Sequence, residues 1–97
     1  MKFTIKSTSG TSFFGTTIRT TVNNLIENIG EPNFEENSGK DKINFEWKLE
    51  TESGKVFTIY DWKEYRSIGW DEEIEFHIGG MNRGSCEEAL EELERLI

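Results

Sequence analysis

Two short segments carry the residue types that most often contact ligands, and the first runs from Tyr60 to Arg66. It interleaves aromatic rings with cations: Tyr60, Trp62, Lys63, Tyr65 and Arg66. Aromatic rings can stack on a nucleobase, and cations can neutralise a phosphate. The same composition is also typical of a segment that closes one edge of a hydrophobic core while its charges stay in solvent.

The second segment is the glycine-rich run 79–84, which precedes a helix that Ser85 would open. Glu88 follows Ser85 by three residues, and this spacing predicts a capping box. Glycines let a backbone approach a ligand closely, and free amides at a helix start attract anions. The candidate ligand contacts in this run are Gly79, Gly80, Asn82 and Arg83. The alternative is a tight connection between a strand and a helix, in which the glycines only turn the chain.

His77 is the only histidine, and strand alternation predicts that it faces outward beside Tyr60. It could contact a ligand or transfer a proton. A metal site is not expected, because the chain offers no second histidine and no suitable cysteine partner. Cys86 falls on the apolar stripe of the last helix, where a structural thiol is favoured over a nucleophile. An enzyme is therefore the least favoured class, and no cofactor is expected.

Two amphipathic helices and several alternating strands must position these residues. Apolar residues from Val22 to Ile29 recur at helical spacing, and the last helix is predicted from Ser85 to the C-terminus with Leu90 and Leu93 buried. Alternation predicts strands over 2–6, 43–49, 56–60 and 74–78. The segment 13–19 is predicted as a strand, with an ordered loop as the alternative.

This order, β(β)αβββα, predicts one α+β domain over residues 1–97. We expect an antiparallel sheet of three to five strands with both helices packed on one face. The other face would carry a polar and aromatic set. That set is Glu46, Lys48, Thr58, Tyr60, Glu75 and His77.

Composition narrows the classes of partner. The formal net charge of −8 argues against direct binding to nucleic acid or to an anionic membrane, since both need clustered cations. A single cysteine excludes an internal disulfide and indicates a reducing compartment. The N-terminus alternates like a strand rather than a signal peptide, so a cytoplasmic protein is expected.

Several short motifs, taken together, resemble a family of small bacteriophage-encoded proteins without an established common activity. These are Phe14-Gly15-Thr16-Thr17-Ile18, Gly30-Glu31-Pro32, Phe45-Glu46-Trp47, the run from Thr58 to Tyr65, and Phe76-His77-Ile78-Gly79-Gly80. The resemblance implies an accessory protein that acts on the host, either by binding a defence protein or by sequestering a nucleotide signal. It supplies no catalytic residue.

The residues and the resemblance together predict a non-catalytic, anti-defence protein that captures a small phosphate-bearing ligand in the host cytoplasm. A homodimer is expected, because a domain of this size encloses a ligand more easily at a subunit interface. The alternative is an acidic inhibitor that binds a host defence protein or a nucleic-acid-binding protein. It would use Asp71, Glu72 and Glu73 together with the predicted solvent face of the last helix, which consists of Glu87, Glu88, Glu91, Glu92 and Glu94.

Overall fold

A computed structural model describes residues 1–97 as an antiparallel sheet covered on one face by two helices. The strands are β1 (Lys2–Phe3), β2 (Ser12–Thr20), β3 (Phe34–Glu35), β4 (Phe45–Glu50), β5 (Val56–Tyr60) and β6 (Ile74–Gly80). The helices are α1 (Val22–Asn28) and α2 (Arg83–Leu96). The predicted α+β class is confirmed, with six strands where three to five were expected. Neither helix is long and apolar enough to cross a membrane.

The sheet order is β1-β4-β5-β6-β2, and β3 also pairs with β4. Since β1 and β2 lie at opposite edges, residues 4–11 must cross from one edge to the other. Lys6 Nζ donates to the carbonyl of Gly54 (2.8 Å), and Gly10 lies beside the side chain of Met81. The crossing therefore runs past the β4–β5 turn and the end of β6.

The core lies between the sheet and the helices because alternate residues of β4, β5 and β6 are apolar. Trp47, Phe57 and Phe76 are fully buried there, with Leu93 of α2. Trp47 Nε1 also donates to the carbonyl of Gly30 (2.9 Å), which ties the end of α1 to the sheet. The prediction that Leu93 is buried is confirmed, whereas Leu90 is only half-buried.

Leu93→Ala should lower the free energy of unfolding by about 2–5 kcal/mol, because it leaves a cavity in a closely packed core. Urea denaturation followed by circular dichroism measures this change. Leu96→Ala is the matched control, since Leu96 lies on the same helix and is 44% exposed. Equal stability of the two variants would contradict this packing of α2.

The C-terminal end of the first predicted strand and the start of the last predicted helix differ from the structure. The first strand stops at Phe3 instead of Lys6, and Ile5 is fully exposed. Helix α2 begins at Arg83, because Asn82 is its N-cap and its side chain accepts from the amide of Ser85 (2.8 Å). The capping box predicted at Ser85 is therefore wrong.

Two glutamates of α2 that were predicted to face solvent bind the β4–β5 turn instead. Glu92 accepts from the amide of Glu52 (3.1 Å), and Glu88 accepts from the Ser53 hydroxyl and lies 3.2 Å from Lys55 Nζ. Hydrogen bonds from Ser53, Thr51 and Lys55 lower the pKa of Glu88 to about 2. The carboxylates thus fasten the helix to the hairpin.

Part of the stability of the domain should therefore depend on Glu88 at low pH. The folded state resists protonation of this carboxylate, whereas the unfolded chain takes up the proton near its ordinary pKa of 4.5. The stabilisation that ionised Glu88 contributes is complete above a pH of about 4.5 and is lost as the pH falls toward 2. Glu88→Gln should flatten the fall in unfolding free energy between pH 5 and about 2, measured by urea denaturation, and Glu91→Gln on the exposed side of α2 is the control.

Candidate functional site

The open face of the sheet carries one continuous row of side chains across five strands. The register places Phe34 opposite Glu46, Glu46 opposite Tyr60, Tyr60 opposite His77, and His77 opposite Thr17. Directly opposed residues of an antiparallel pair point to the same face. The predicted outward orientation of Glu46, Tyr60 and His77 agrees with this register.

Aromatic rings gather around His77 in this row. Phe13 stacks on the imidazole with ring centroids 3.9 Å apart, and the Trp62 ring lies 6.3 Å away at 29°. Tyr60 meets both His77 and Trp62 edge-on, at 5.5 and 6.0 Å. Burial among these rings lowers the pKa of His77 below its usual 6.5, so the imidazole is neutral at pH 7.

Two lysines flank the Trp62 ring at the end of β5. Lys63 Nζ lies 5.5 Å from the ring centroid and Lys42 Nζ lies 5.8 Å from it. The amide of Lys63 donates to the carbonyl of Lys42 (2.8 Å), so the backbones of the two lysines are held side by side although they are 21 positions apart in sequence. Neither lysine belongs to an ion pair, and both are exposed.

A buried polar network holds the two lysine-bearing segments together. The fully buried Asp61 carboxylate accepts from the amides of Asn44 and Phe45, both at 2.8 Å, and from Asn44 Nδ2 at 3.0 Å. The Asn44 side chain also accepts from the amide of Gly39 and donates to the carbonyl of Arg66. Segments 39–45 and 61–66 therefore form one unit.

The backbone around Trp62 adopts an unusual conformation within this unit. Lys63 and Tyr65 are the only non-glycine residues with positive φ, at 54° and 51°. A left-handed conformation costs an ordinary residue about 1–2 kcal/mol. Such strain persists only where surrounding contacts enforce it, as the Asp61 network does here, and it is often found at ligand sites.

An open cleft of about 470 Å³ adjoins Trp62 on the side of β3 and β4. Its lining residues are Phe34, Asp41, Lys42, Ile43, Glu46 and Trp62. A smaller recess of about 170 Å³ shares Ile43, Glu46 and Trp62 with it and extends to Tyr60 and Gly79. Together they form a groove along the aromatic row, within the volume range of small-molecule sites.

The structure brings together half of the ten residues predicted to bind a ligand. Tyr60, Trp62 and Gly79 line this groove, and Lys63 and His77 lie beside the Trp62 ring. Tyr65 is exposed outside the aromatic cluster. The guanidinium of Arg66 is held by Glu72 (2.9 Å) and by Glu64 (3.2 Å), and the Glu72 hydrogen bond raises the pKa of Arg66.

The glycine-rich segment lies outside the groove apart from Gly79, and its first two glycines belong to β6 rather than to a loop. A Cβ on Gly79 would lie 2.7 Å from Thr58 Oγ1, and one on Gly80 would lie 2.8 Å from Cys86 Sγ. Both glycines are thus needed for close packing. Asn82 is used as the cap of α2, and Arg83 begins that helix, which covers the opposite face of the sheet.

Sequence reasoning missed Phe13, Phe34, Lys42 and Glu46 as members of the site. Phe34 and Lys42 lie in a polar segment with no periodicity, and Phe13 approaches His77 only because β2 pairs with β6. The one sequence signal that could have indicated part of this site is Phe34, a large apolar residue isolated among polar neighbours. Glu46 was predicted on the open face but was not assigned a role.

The acidic residues named for the alternative function are mostly engaged within the chain. Asp71 accepts from Asn23 Nδ2 (2.7 Å), Glu72 binds Arg66, and Glu73 lies 3.5 Å from Arg19 Nε. The acidic surface that remains free is the outer side of α2. It consists of Glu87, Glu91 and Glu94.

No group of three or more His, Cys, Asp or Glu side chains is placed to hold a metal ion. Comparisons with protein-family models, curated proteins and solved structures found no match for this chain. The resemblance to phage proteins stays a prediction, and the functional argument depends on the geometry of the open face.

Proposed function

We propose that the groove on the open face binds a small ligand that combines a planar ring with phosphate, and that the protein holds this ligand without converting it. The observation that carries the proposal is Trp62, an exposed ring flanked by Lys42 and Lys63 in a row of further aromatic residues. A base can stack on such a ring, and the two ammonium groups beside it can bind its phosphate.

The charge distribution supports a small ligand rather than a polymer. The chain carries a net charge of −8, which repels a long polyanion, yet two unpaired cations meet at Trp62. Four of the other cations, including Arg19 and Arg66, are paired with carboxylates. One or two phosphates fit this local positive site, whereas a continuous nucleic-acid backbone does not.

The surroundings of His77 support binding without catalysis. Aromatic rings surround the imidazole, and it donates no hydrogen bond to a carboxylate that could orient it as a base. In this role it contributes a flat, neutral surface beside Tyr60. If the protein is encoded by a phage, sequestering such a ligand would remove a nucleotide signal from host defence.

A nucleotide panel tests the proposal directly. The folded protein is incubated with mononucleotides and cyclic dinucleotides, separated from free ligand and denatured, and the released compounds are identified by mass spectrometry. Release of an intact nucleotide supports capture. Release of a converted nucleotide contradicts the non-catalytic part, and no retained nucleotide contradicts the proposal. The expected homodimer stays a prediction, tested by light scattering with and without the retained compound.

Lys63→Gly should separate binding from stability. Glycine adopts positive φ without the penalty that Lys63 bears, so the variant should be at least as stable as the parent despite the greater flexibility of glycine in the unfolded chain. Loss of the ammonium should weaken nucleotide binding about fivefold, or about 1 kcal/mol. Calorimetric titration and thermal melting measure the two effects. Lys40→Ala, which removes an exposed lysine of the same unit, is the charge control.

A further inference from the structure

The cleft beside Trp62 contains a carboxylate that the phosphate site does not explain. Glu46 lies between Phe34 and Tyr60 in the row, is half-buried, and belongs to no ion pair. Phe34, Ile43 and Trp62 provide the apolar part of the lining around it. A half-buried carboxylate without a cation retains strong hydrogen-bond acceptors, so it favours a ligand that offers donors.

The carboxylate selects among planar rings by their hydrogen-bonding edges. An ionised glutamate is an acceptor only, with two oxygens side by side. Guanine presents two adjacent donors, N1–H and the 2-amino group, that match those oxygens. Adenine offers its amino group next to the N1 acceptor, and uracil offers one N–H between two carbonyls, so each places an acceptor against Glu46. Hydrogen bonds to an ionised acceptor are the strong ones, and an unmatched acceptor is penalised.

A cationic ligand is the other chemistry that aromatic rings and a carboxylate can bind. The two lysines decide against it, because their ammonium groups lie 5.5 and 5.8 Å from the centre of the Trp62 ring and would repel a second cation. The same lysines attract the phosphate of a nucleotide. The ligand must therefore be one molecule that combines a ring rich in hydrogen-bond donors with an anionic group.

We infer that the ligand is a guanine nucleotide, with its ring in the cleft between Phe34 and Trp62, its N1–H and 2-amino donors on Glu46, and its phosphate on Lys42 and Lys63. This inference rests on the proposed function and adds the identity of the base. Asp41, which also lines this cleft, is a second acceptor there. Burial raises the pKa of Tyr60, and the neighbouring Glu46 carboxylate adds to this shift, so the phenol stays protonated beside the ring site.

The test is calorimetric titration of the full chain with GMP, IMP, AMP and UMP. We expect GMP to bind at least about tenfold more tightly than AMP or UMP. IMP, which keeps N1–H and lacks the 2-amino group, should fall between GMP and AMP. Glu46→Gln should weaken GMP binding about tenfold and strengthen AMP binding, because the glutamine amide offers a donor to the N1 acceptor of adenine. Glu75→Gln is the matched control, since Glu75 is exposed on the same face of β6 and does not line the cleft.

The outcomes separate this inference from the proposed function. Equal binding of all four nucleotides, or a preference for AMP or UMP, overturns the guanine inference. If Lys42→Ala and Lys63→Gly still weaken binding in that case, the proposed function stands. Unchanged GMP affinity in Glu46→Gln also overturns it. If no nucleotide binds and a trimethylammonium compound does, both the inference and the proposed function fail. Thermal melting of Glu46→Gln confirms that the fold is kept, as expected for a substitution that preserves shape.

Discussion

Asp61→Ala is expected to lower the free energy of unfolding by about 3–6 kcal/mol, because it leaves three N–H groups without an acceptor. These are the amides of Asn44 and Phe45 and the Asn44 side-chain amide, all at 2.8–3.0 Å from the carboxylate. Each unsatisfied buried donor costs about 1–3 kcal/mol, and water entering the site reduces the sum. The same substitution should release segment 39–45 from segment 61–66 and so dismantle the cleft.

Urea denaturation measures the loss of stability, and hydrogen exchange of the Asn44 and Phe45 amides localises it. Asp61→Asn keeps one oxygen acceptor and should lose less stability than the alanine variant. Asp41→Ala is the control for removing a nearby carboxylate, since Asp41 is exposed. If Asp61→Ala unfolds at the same urea concentration as Asp41→Ala, the network does not hold these segments.

Local periodicity was sufficient to predict every element except β3, and it also predicted the two faces of the central strands. Trp47 and Leu49 alternate with Glu46 and Lys48, and the structure buries the first pair in the core while the second pair lies on the open face. Period-two alternation carries this information within a single strand. The helical spacing from Val22 likewise predicted α1, although that helix has only seven residues.

Periodicity does not show which strands lie side by side when they are far apart in the sequence. Phe13 stacks on His77 only because β2, second in the chain, lies beside β6, the last strand. Lys42 reaches Trp62 through a backbone hydrogen bond to Lys63 and through the Asp61 network, and neither leaves a periodic pattern. Long-range contacts of this kind depend on sheet order, which a single sequence does not specify.

Glycines and glutamates were misread because their neighbours in space were unknown. Gly80 was predicted in an anion-binding loop, but Cys86 Sγ occupies the space of its missing side chain. Glu92 was predicted on the solvent side of α2, but the amide of Glu52 is its partner. In each case the residue type fitted two environments, and only the tertiary contact distinguishes them.

Trp62→Ala should produce the largest loss of ligand binding, about 5- to 150-fold, because it removes the ring that the cleft, the recess and both lysines share. Stacking of one base on an aromatic side chain contributes about 1–3 kcal/mol, which corresponds to this range. The ring is 38% exposed, so the domain should stay folded with a loss of about 1–2 kcal/mol in stability.

Trp70→Ala is the matched control for Trp62→Ala. Trp70 is 41% exposed and packs edge-on against Phe45 with ring centroids 6.0 Å apart, outside the groove. Its removal should leave the dissociation constant of GMP within about twofold of the parent value, a difference of about 0.4 kcal/mol. In fluorescence titration with GMP, quenching should persist in Trp70→Ala and disappear in Trp62→Ala, because Trp47 is fully buried and does not contact the ligand. Quenching that survives in Trp62→Ala and is lost in Trp70→Ala would move the site away from the open face of the sheet.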